Sequence, residues 1–225
     1  MMNKNIFVAC DVSSQKEILE LLSKIHNEIS GIKIGLQYIT NHSPDEIREL
    51  TKFNKPIFYD GKFFDIKNTL IESVKSLKNL NVSYATVHLL NGLESLKYAN
   101  KVANEINVKL LGVSVLTSFE NEDLEQLGFK DPLEQQVLRL IRIADEANLY
   151  GVICSPLEIK MIKEIAPNLK CFTPGIRQDK NNDDQKRTMN ARQALEAGSD
   201  FLIIGRPITK GDPKKNIQKI LSSLK

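Results

Sequence analysis

The sequence holds only three cysteines, three histidines, eleven glycines and eight prolines in 225 residues, and each shortage excludes something. Cys10, Cys154 and Cys171 are odd in number and share no CxxC or paired-ligand spacing. Each lies beside an apolar run (Phe7-Val8-Ala9, Val152-Ile153, Phe172), where a small thiol packs as core. Reduced, buried thiols are therefore expected rather than a disulfide framework or a zinc site. His26, His42 and His88 are scattered, with no HxH or HExxH pattern, so no catalytic metal is suggested. Glycine and proline are too sparse for a linker-rich modular protein. No stretch approaches the roughly 20 apolar residues that cross a bilayer. Met1-Met2-Asn3-Lys4-Asn5 lacks the basic segment, apolar run and cleavage site of a secretory signal. A cytoplasmic protein with no membrane contact is expected. The net charge of +3 comes with no basic block and no interleaved aromatics, so nucleic acid is not an expected partner. With 41% hydrophobic and 26% charged residues the chain has the composition of a folded globule, not of a disordered one.

What is present is an alternation. Short β-rich runs recur at Ile6–Ala9, Ile32–Ile34, Pro56–Asp60, Tyr84–His88, Lys109–Leu116, Gly151–Cys154, Leu169–Thr173 and Phe201–Ile204. They are almost continuously apolar, as strands covered on both faces must be. Between them lie stretches of helical period with start signals. Ser14-Gln-Lys-Glu17 reads as a capping box ahead of the stripe Ile18, Leu21, Leu22 and Ile25. Ser43-Pro-Asp-Glu46, Asp131-Pro-Leu-Glu134 and Ser155-Pro-Leu-Glu158 each offer a cap, a proline at the first helical position and an early carboxylate. A further helix carries Val137, Leu138, Ile141, Ala144 and Ala147. Repeated βα units imply a parallel sheet, open or closed. Eight near-equal units favour closure, and the first strand runs into Asp11-Val-Ser-Ser14 with no GxGxxG turn of the open dinucleotide-binding sheet. The expected fold is one α/β domain over residues 1–225, a (β/α)8 TIM barrel with parallel strands.

Charge concentrates at strand ends. In Ile57-Phe58-Tyr59-Asp60-Gly61-Lys62, residues 58, 60 and 62 project to one side, because a strand alternates faces with period two. At the carboxyl end of the third strand they would point into the barrel mouth, where Lys33 and Asp11 end the second and first strands. Acids and lysines gathered on one rim can tune proton transfer; a neutralised salt-bridge network capping the barrel is the alternative. Phosphate in such barrels binds after strands seven and eight. Arg206, preceded by Gly205, is a phosphate-clamp candidate on that ground, with an exposed terminal arginine as the alternative.

Taken together these motifs resemble the orotidine 5′-phosphate decarboxylase family over nearly the whole chain. Its signature D-x-K-x-x-D-I-x-N-T stands as Asp60-Gly-Lys62-Phe-Phe-Asp65-Ile66-Lys-Asn68-Thr69. Asp11, Lys33-Ile-Gly35, Leu116-Thr117-Ser118, Thr173-Pro-Gly-Ile-Arg177, Asp184-Gln185-Lys-Arg187 and Gly205-Arg206-Pro-Ile-Thr209 follow in the family's order. Phe64 replaces the usual histidine, Lys67 the usual proline, and Asn91-Gly92 the usual Gly-Gly; these departures leave the acid–lysine set intact and put loop packing in question.

The resemblance implies decarboxylation of orotidine 5′-monophosphate to UMP and CO₂ without metal or organic cofactor, in pyrimidine biosynthesis. It implies that Lys62 stabilises charge on carbon 6 and protonates it, that Asp60 lies near the departing carboxylate, and that Lys33 holds the acids and contacts ribose. Asp65 and Thr69 would reach a partner's site in a homodimer, with Ile66 beside them in substrate binding. Asp11 would bind ribose, Thr117 and Ser118 the pyrimidine edge, and Arg177, Gln185, Gly205 and Arg206 the phosphate end. The polar run from Gln178 to Asp184 reads as a lid that closes as Gln185 meets phosphate, with an ordinary flexible loop as the alternative. Two other readings remain: a metal-dependent hexulose-phosphate synthase or keto-gulonate-phosphate decarboxylase sharing D-x-K-x-x-D, and a non-catalytic nucleotide sensor, which would be expected to lack Lys62 or Asp60.

Overall fold

Each apolar run pairs with the next as a parallel strand. The computed structural model describes residues 5–177 and 187–224. In it β1 (Ile6–Ala9), β2 (Gly31–Gly35), β3 (Ile57–Phe63), β4 (Tyr84–His88), β5 (Lys109–Val113), β6 (Gly151–Ile153), β7 (Lys170–Thr173) and β8 (Phe201–Ile204) form a closed barrel in chain order. Val8 closes the ring, opposite Ile32 on one side and Ile204 on the other. The outer layer follows strand by strand: α1 (Gln15–Ile25), α2 (Pro44–Glu49), α3 (Lys67–Ser76), α4 (Leu93–Glu105), α5 (Leu133–Glu146), α6 (Ile159–Ile165), α7 (Ala191–Glu196) and α8 (Pro213–Ser223). This is the expected (β/α)8 barrel. Among the described residues no helix is long and apolar enough to cross a membrane.

The period of two along each strand sorts the residues into two cores. Ile6, Val8, Cys10, Ile32, Ile34, Ala85, Val87, Val152, Cys154, Cys171, Leu202 and Ile204 face outward and are buried under the helices. Phe7, Phe58, Tyr84, Leu111, Phe172 and Ile203 face inward and form a separate cluster. Its rings pack edge-on and tilted, Phe7 lying 6.1 Å from Phe58 and 5.6 Å from Phe172 between centroids. The Phe7 ring fills the place of a side chain at position 31, where a Cβ would fall 2.1 Å from it, so β2 carries Gly31 there. This aromatic floor plugs the barrel. Residues two or four steps beyond it, among them Ala9, Asp11, Asp60, Val113, Pro174 and Gly205, line the mouth at the carboxyl end.

Three local expectations are corrected. The fifth strand ends at Val113 rather than Leu116, since β6 pairs only with Leu111–Val113 and β4 ends at His88 opposite Val113. Val115 and Leu116 instead become loop. Ser14 caps α1 without a side-chain bond, and its box with Glu17 does not form, whereas the Ser43–Glu46 box does. Proline does not take the first helical position in the two later motifs. Pro132 is itself the cap of α5, with Asn121 Oδ1 accepting the Leu133 N–H at 2.8 Å while Asp131 pairs with Arg139 at 2.6 Å. Ser155 to Glu158 is a turn before α6, in which Glu158 accepts the Ser155 N–H at 2.9 Å.

Candidate active site

The mouth of the barrel holds a cavity of about 210 Å³. Its charged wall comes from the neighbouring strands β2 and β3, with Asp11 just past the end of β1. Lys33 lies two residues past the position of Gly31 and Asp60 two past Phe58, so both inherit the inward direction of the floor beneath them, and Lys62 lines the cavity beside them. Asp60 is buried at 5% exposure, and its Oδ2 takes both ammonium groups, Lys33 Nζ and Lys62 Nζ each at 2.8 Å. Its Oδ1 accepts the Thr86 hydroxyl at 2.9 Å. Burial alone would raise the Asp60 pKa, but Lys33 and Lys62 outweigh it and hold the carboxyl at about 2 against an ordinary 3.8, so it is ionised. Burial acts against the Lys33 charge as well; Asp60 and Asp11 overcome it and raise the pKa above the ordinary lysine value. Asp11 and Lys33 both approach Gly35: a Cβ at residue 35 would lie 3.3 Å from Asp11 Oδ1 and 3.5 Å from Lys33 Nζ.

Lys62 reaches this position through an irregular strand. β3 slips against β4 between the pairs Tyr59↔Ala85 and Phe63↔Val87, four residues on one side spanning two on the other. Within the slip Lys62 adopts a left-handed φ of 47°, a conformation that costs a non-glycine residue about 1 kcal/mol or more. The Thr86 hydroxyl that donates to Asp60 accepts the Lys62 N–H at 2.8 Å and holds the bulge. Thr86 was not among the residues the motifs suggest. The available signal was a polar residue in an otherwise apolar run, at inward parity two beyond Tyr84. Beside it, His88 has a lowered pKa through burial and the Lys62 charge, which favour the neutral ring.

The opposite rim of the cavity is formed by Pro174, Gly175 and Arg177 after β7 and by Gly205 and Arg206 after β8, with Val115, Leu116 and Thr117 after β5 along the side. The Arg177 backbone is fixed there, its N–H donating to the Met189 carbonyl at 2.9 Å. Gly205 lies beside the end of β1: a Cβ there would be 3.4 Å from that of Ala9 and 3.6 Å from Asp11 Oδ2, in ordinary contact. A cationic end and an acid–lysine end thus face each other across one cavity. Gln185, and the Gln178 to Asp184 run expected to act as a lid, lie outside the described residues.

Asp65, Ile66 and Thr69 do not line this cavity. They are exposed on the loop after β3 and the start of α3. There Asp65 Oδ1 accepts the Ile66 N–H at 2.7 Å and the Asp65 N–H meets Asn91 Oδ1 at 3.1 Å. Asn91, one of the family departures, also donates to the Phe63 and His88 carbonyls at 2.9 and 2.7 Å, tying the loops after β3 and β4 together. The Lys67 departure is accommodated by Glu94 at 2.5 Å and the face of Tyr98 at 3.8 Å. Phe64, the third, is exposed with its ring 5.5 Å from His88.

Comparison with known proteins agrees in extent and in kind. The family model described as "Orotidine 5′-phosphate decarboxylase / HUMPS family" matches residues 4–220. A protein named orotidine 5′-phosphate decarboxylase from Wolbachia pipientis subsp. Culex pipiens is 38% identical over 221 residues, covering 97% of this chain and 98% of its own. Its namesake from Dictyoglomus turgidum is 40% identical over 233 residues, covering 97% and 94%. The crystal structure of orotidine 5′-phosphate decarboxylase from Lactobacillus acidophilus superposes with a TM-score of 0.85 at 32% identity, over 97% of this chain and 98% of that one. By fold, by the acid–lysine cavity and by similarity along nearly its whole length, the chain belongs to the orotidine 5′-phosphate decarboxylase / HUMPS family.

Proposed function

We propose that this protein decarboxylates orotidine 5′-monophosphate to UMP and CO₂ in pyrimidine biosynthesis, in the cytoplasm and without metal or organic cofactor. The observation that carries the reading is Asp60, one carboxylate oxygen held by two ammonium groups at 2.8 Å each, opposite a rim bearing Arg177 and Arg206. A carboxylate already saturated by two lysines is a poor metal ligand, which weighs against a metal-dependent relative of the same family.

Loss of CO₂ leaves an electron pair on pyrimidine carbon 6, where no carbonyl stands in position to delocalise it. The catalyst must therefore stabilise that charge electrostatically and deliver a proton. Lys62 supplies both. Asp60 orients Lys62 and crowds the substrate carboxylate, and Lys33 balances the acids and contacts ribose with Asp11. Repulsion between two carboxylates about 4 Å apart contributes roughly 4 kcal/mol at an effective dielectric near 20. The largest known enzymatic accelerations need on the order of 20 kcal/mol, so repulsion by Asp60 is a minor share. The greater part falls to the preorganised Lys62 ammonium, supported by binding energy from the distant phosphate on Arg177, Gln185, Gly205 and Arg206. Thr117 meets the pyrimidine edge.

The working unit is a homodimer, each chain a single barrel domain over residues 1–225, with Asp65, Ile66 and Thr69 entering the partner's cavity. Support comes from their exposure away from this chain's own cavity, amid exposed Phe64, Ile66 and Leu90. The test is ultraviolet detection of orotidine 5′-monophosphate consumption with EDTA present. Turnover unaffected by the chelator is expected; a folded dimer with none would refute the proposal.

A further inference from the structure

Glu158 and Arg187 form an ion pair that the chemistry above does not use. Glu158 is buried, and both of its oxygens are engaged: Oε2 accepts the Ser155 N–H at 2.9 Å and Oε1 accepts Arg187 Nη1. The rest of the guanidinium crosses to the loop after β5. Nη2 donates to the Leu116 carbonyl at 3.2 Å and Nε to the Thr117 carbonyl at 3.3 Å. Two residues on, Met189 exchanges backbone bonds with the opposite rim, accepting from Arg177 at 2.9 Å and donating to Gly175 at 3.2 Å. Leu116 and Thr117 after β5 and Gly175 and Arg177 after β7 all line the cavity. One side chain and its short backbone clamp therefore span the loops after β5, β6 and β7.

The planar guanidinium meets the carboxylate and the two carbonyls from three separate nitrogens in one fixed geometry; a lysine would have to gather all three acceptors around a single nitrogen. A staple serving the fold alone could end on Glu158. This one directs its remaining donors to the two carbonyls of the cavity wall.

We propose that Arg187, seated on Glu158, is a positioning residue that holds the Leu116–Thr117 wall at a set distance from the Gly175–Arg177 rim, keeping the base and phosphate ends of one nucleotide in register. The proposal rests on the decarboxylase reading above.

The test compares the full-length chain with Arg187→Ala, Arg187→Lys and Glu158→Gln. Two quantities are read: turnover of orotidine 5′-monophosphate and competitive inhibition by ribose 5-phosphate, which has the phosphate and sugar but no base. Loss of register should lower kcat/KM by about 10–100-fold in both arginine variants and leave the ribose 5-phosphate inhibition constant unchanged. Added guanidinium, well below denaturing concentration, should restore part of the Arg187→Ala turnover, and ammonium should not. Glu158→Gln combined with Arg187→Ala should lose no more than Arg187→Ala alone. Wild-type kcat/KM in Arg187→Lys, or equal losses for turnover and ribose 5-phosphate affinity, would overturn the proposal. Arg187→Lys decides the question if Arg187→Ala does not fold. A wild-type chain inert toward orotidine 5′-monophosphate would remove the decarboxylase reading itself, and this proposal with it.

Discussion

Thr86→Val is the substitution that most directly probes how the site is held. Valine matches threonine in shape and suits a strand, so the change removes little besides a hydroxyl. That hydroxyl makes two bonds in a fully buried position, donating to Asp60 Oδ1 at 2.9 Å and accepting the Lys62 N–H at 2.8 Å. A hydrogen bond to a charged group contributes roughly 1.5–3 kcal/mol, and an orphaned backbone N–H costs roughly 1–3 kcal/mol more. The Lys62 bulge then loses its anchor while keeping the strain of its left-handed backbone. A loss of about 2–5 kcal/mol in urea-unfolding free energy is expected, allowing for partial relaxation. Turnover should suffer separately. A shift of about 1 Å in Lys62 relative to its target costs on the order of 100-fold in kcat, with KM less affected because the rim proposed to hold phosphate is untouched. Thr86→Ser keeps both bonds and should retain most activity, losing about 1 kcal/mol for the buried methyl. Steady-state ultraviolet assays of the three proteins, each with its unfolding curve, separate the two effects. Wild-type kcat and stability in Thr86→Val would refute the assignment of Thr86 as the anchor.

Lys62→Ala should abolish turnover while leaving UMP binding measurable by titration calorimetry, since the proposed phosphate contacts remain; retained turnover would remove Lys62 from its role. Mixing the inactive variants Asp60→Asn and Asp65→Asn should restore part of the activity, because subunit exchange creates some sites intact at both positions; no restoration after proven exchange would argue against a shared site. The Asp60 carboxyl, held at about 2 against 3.8, contributes stability that is complete above pH 3.8 and lost as pH falls through 2, a linkage of about 2 kcal/mol. Unfolding free energies of wild type and Asp60→Asn should therefore diverge at neutral pH and converge on acidification. A difference that stays constant down to about pH 2 would contradict the lysine clamp.

The sequence by itself determined the barrel and most of one wall of its site. Both are local properties. Apolar runs of strand length between amphipathic helices prescribe buried parallel strands, and the period of two carries the direction of Phe58 upward to Asp60, while Lys62 follows through the bulge anchored on Thr86. The motif order added the cationic rim at Arg177 and Arg206. Tertiary structure decided what depends on neighbours distant in the chain. Thr86 meets Asp60 across 26 residues and Arg187 meets Leu116 across 71; no period links such pairs, and only closure of the barrel brings them together. The helix caps show the same limit. Asp131 carries a plausible cap signal, yet it is Asn121, twelve residues before Leu133, that accepts the first N–H of α5. The loop after β3 makes the point at the site itself. One motif contains Asp60, Lys62, Asp65 and Thr69, but the strand delivers the first two into the cavity. The turn at residues 64–66, pinned by Asn91, sends the others to the surface.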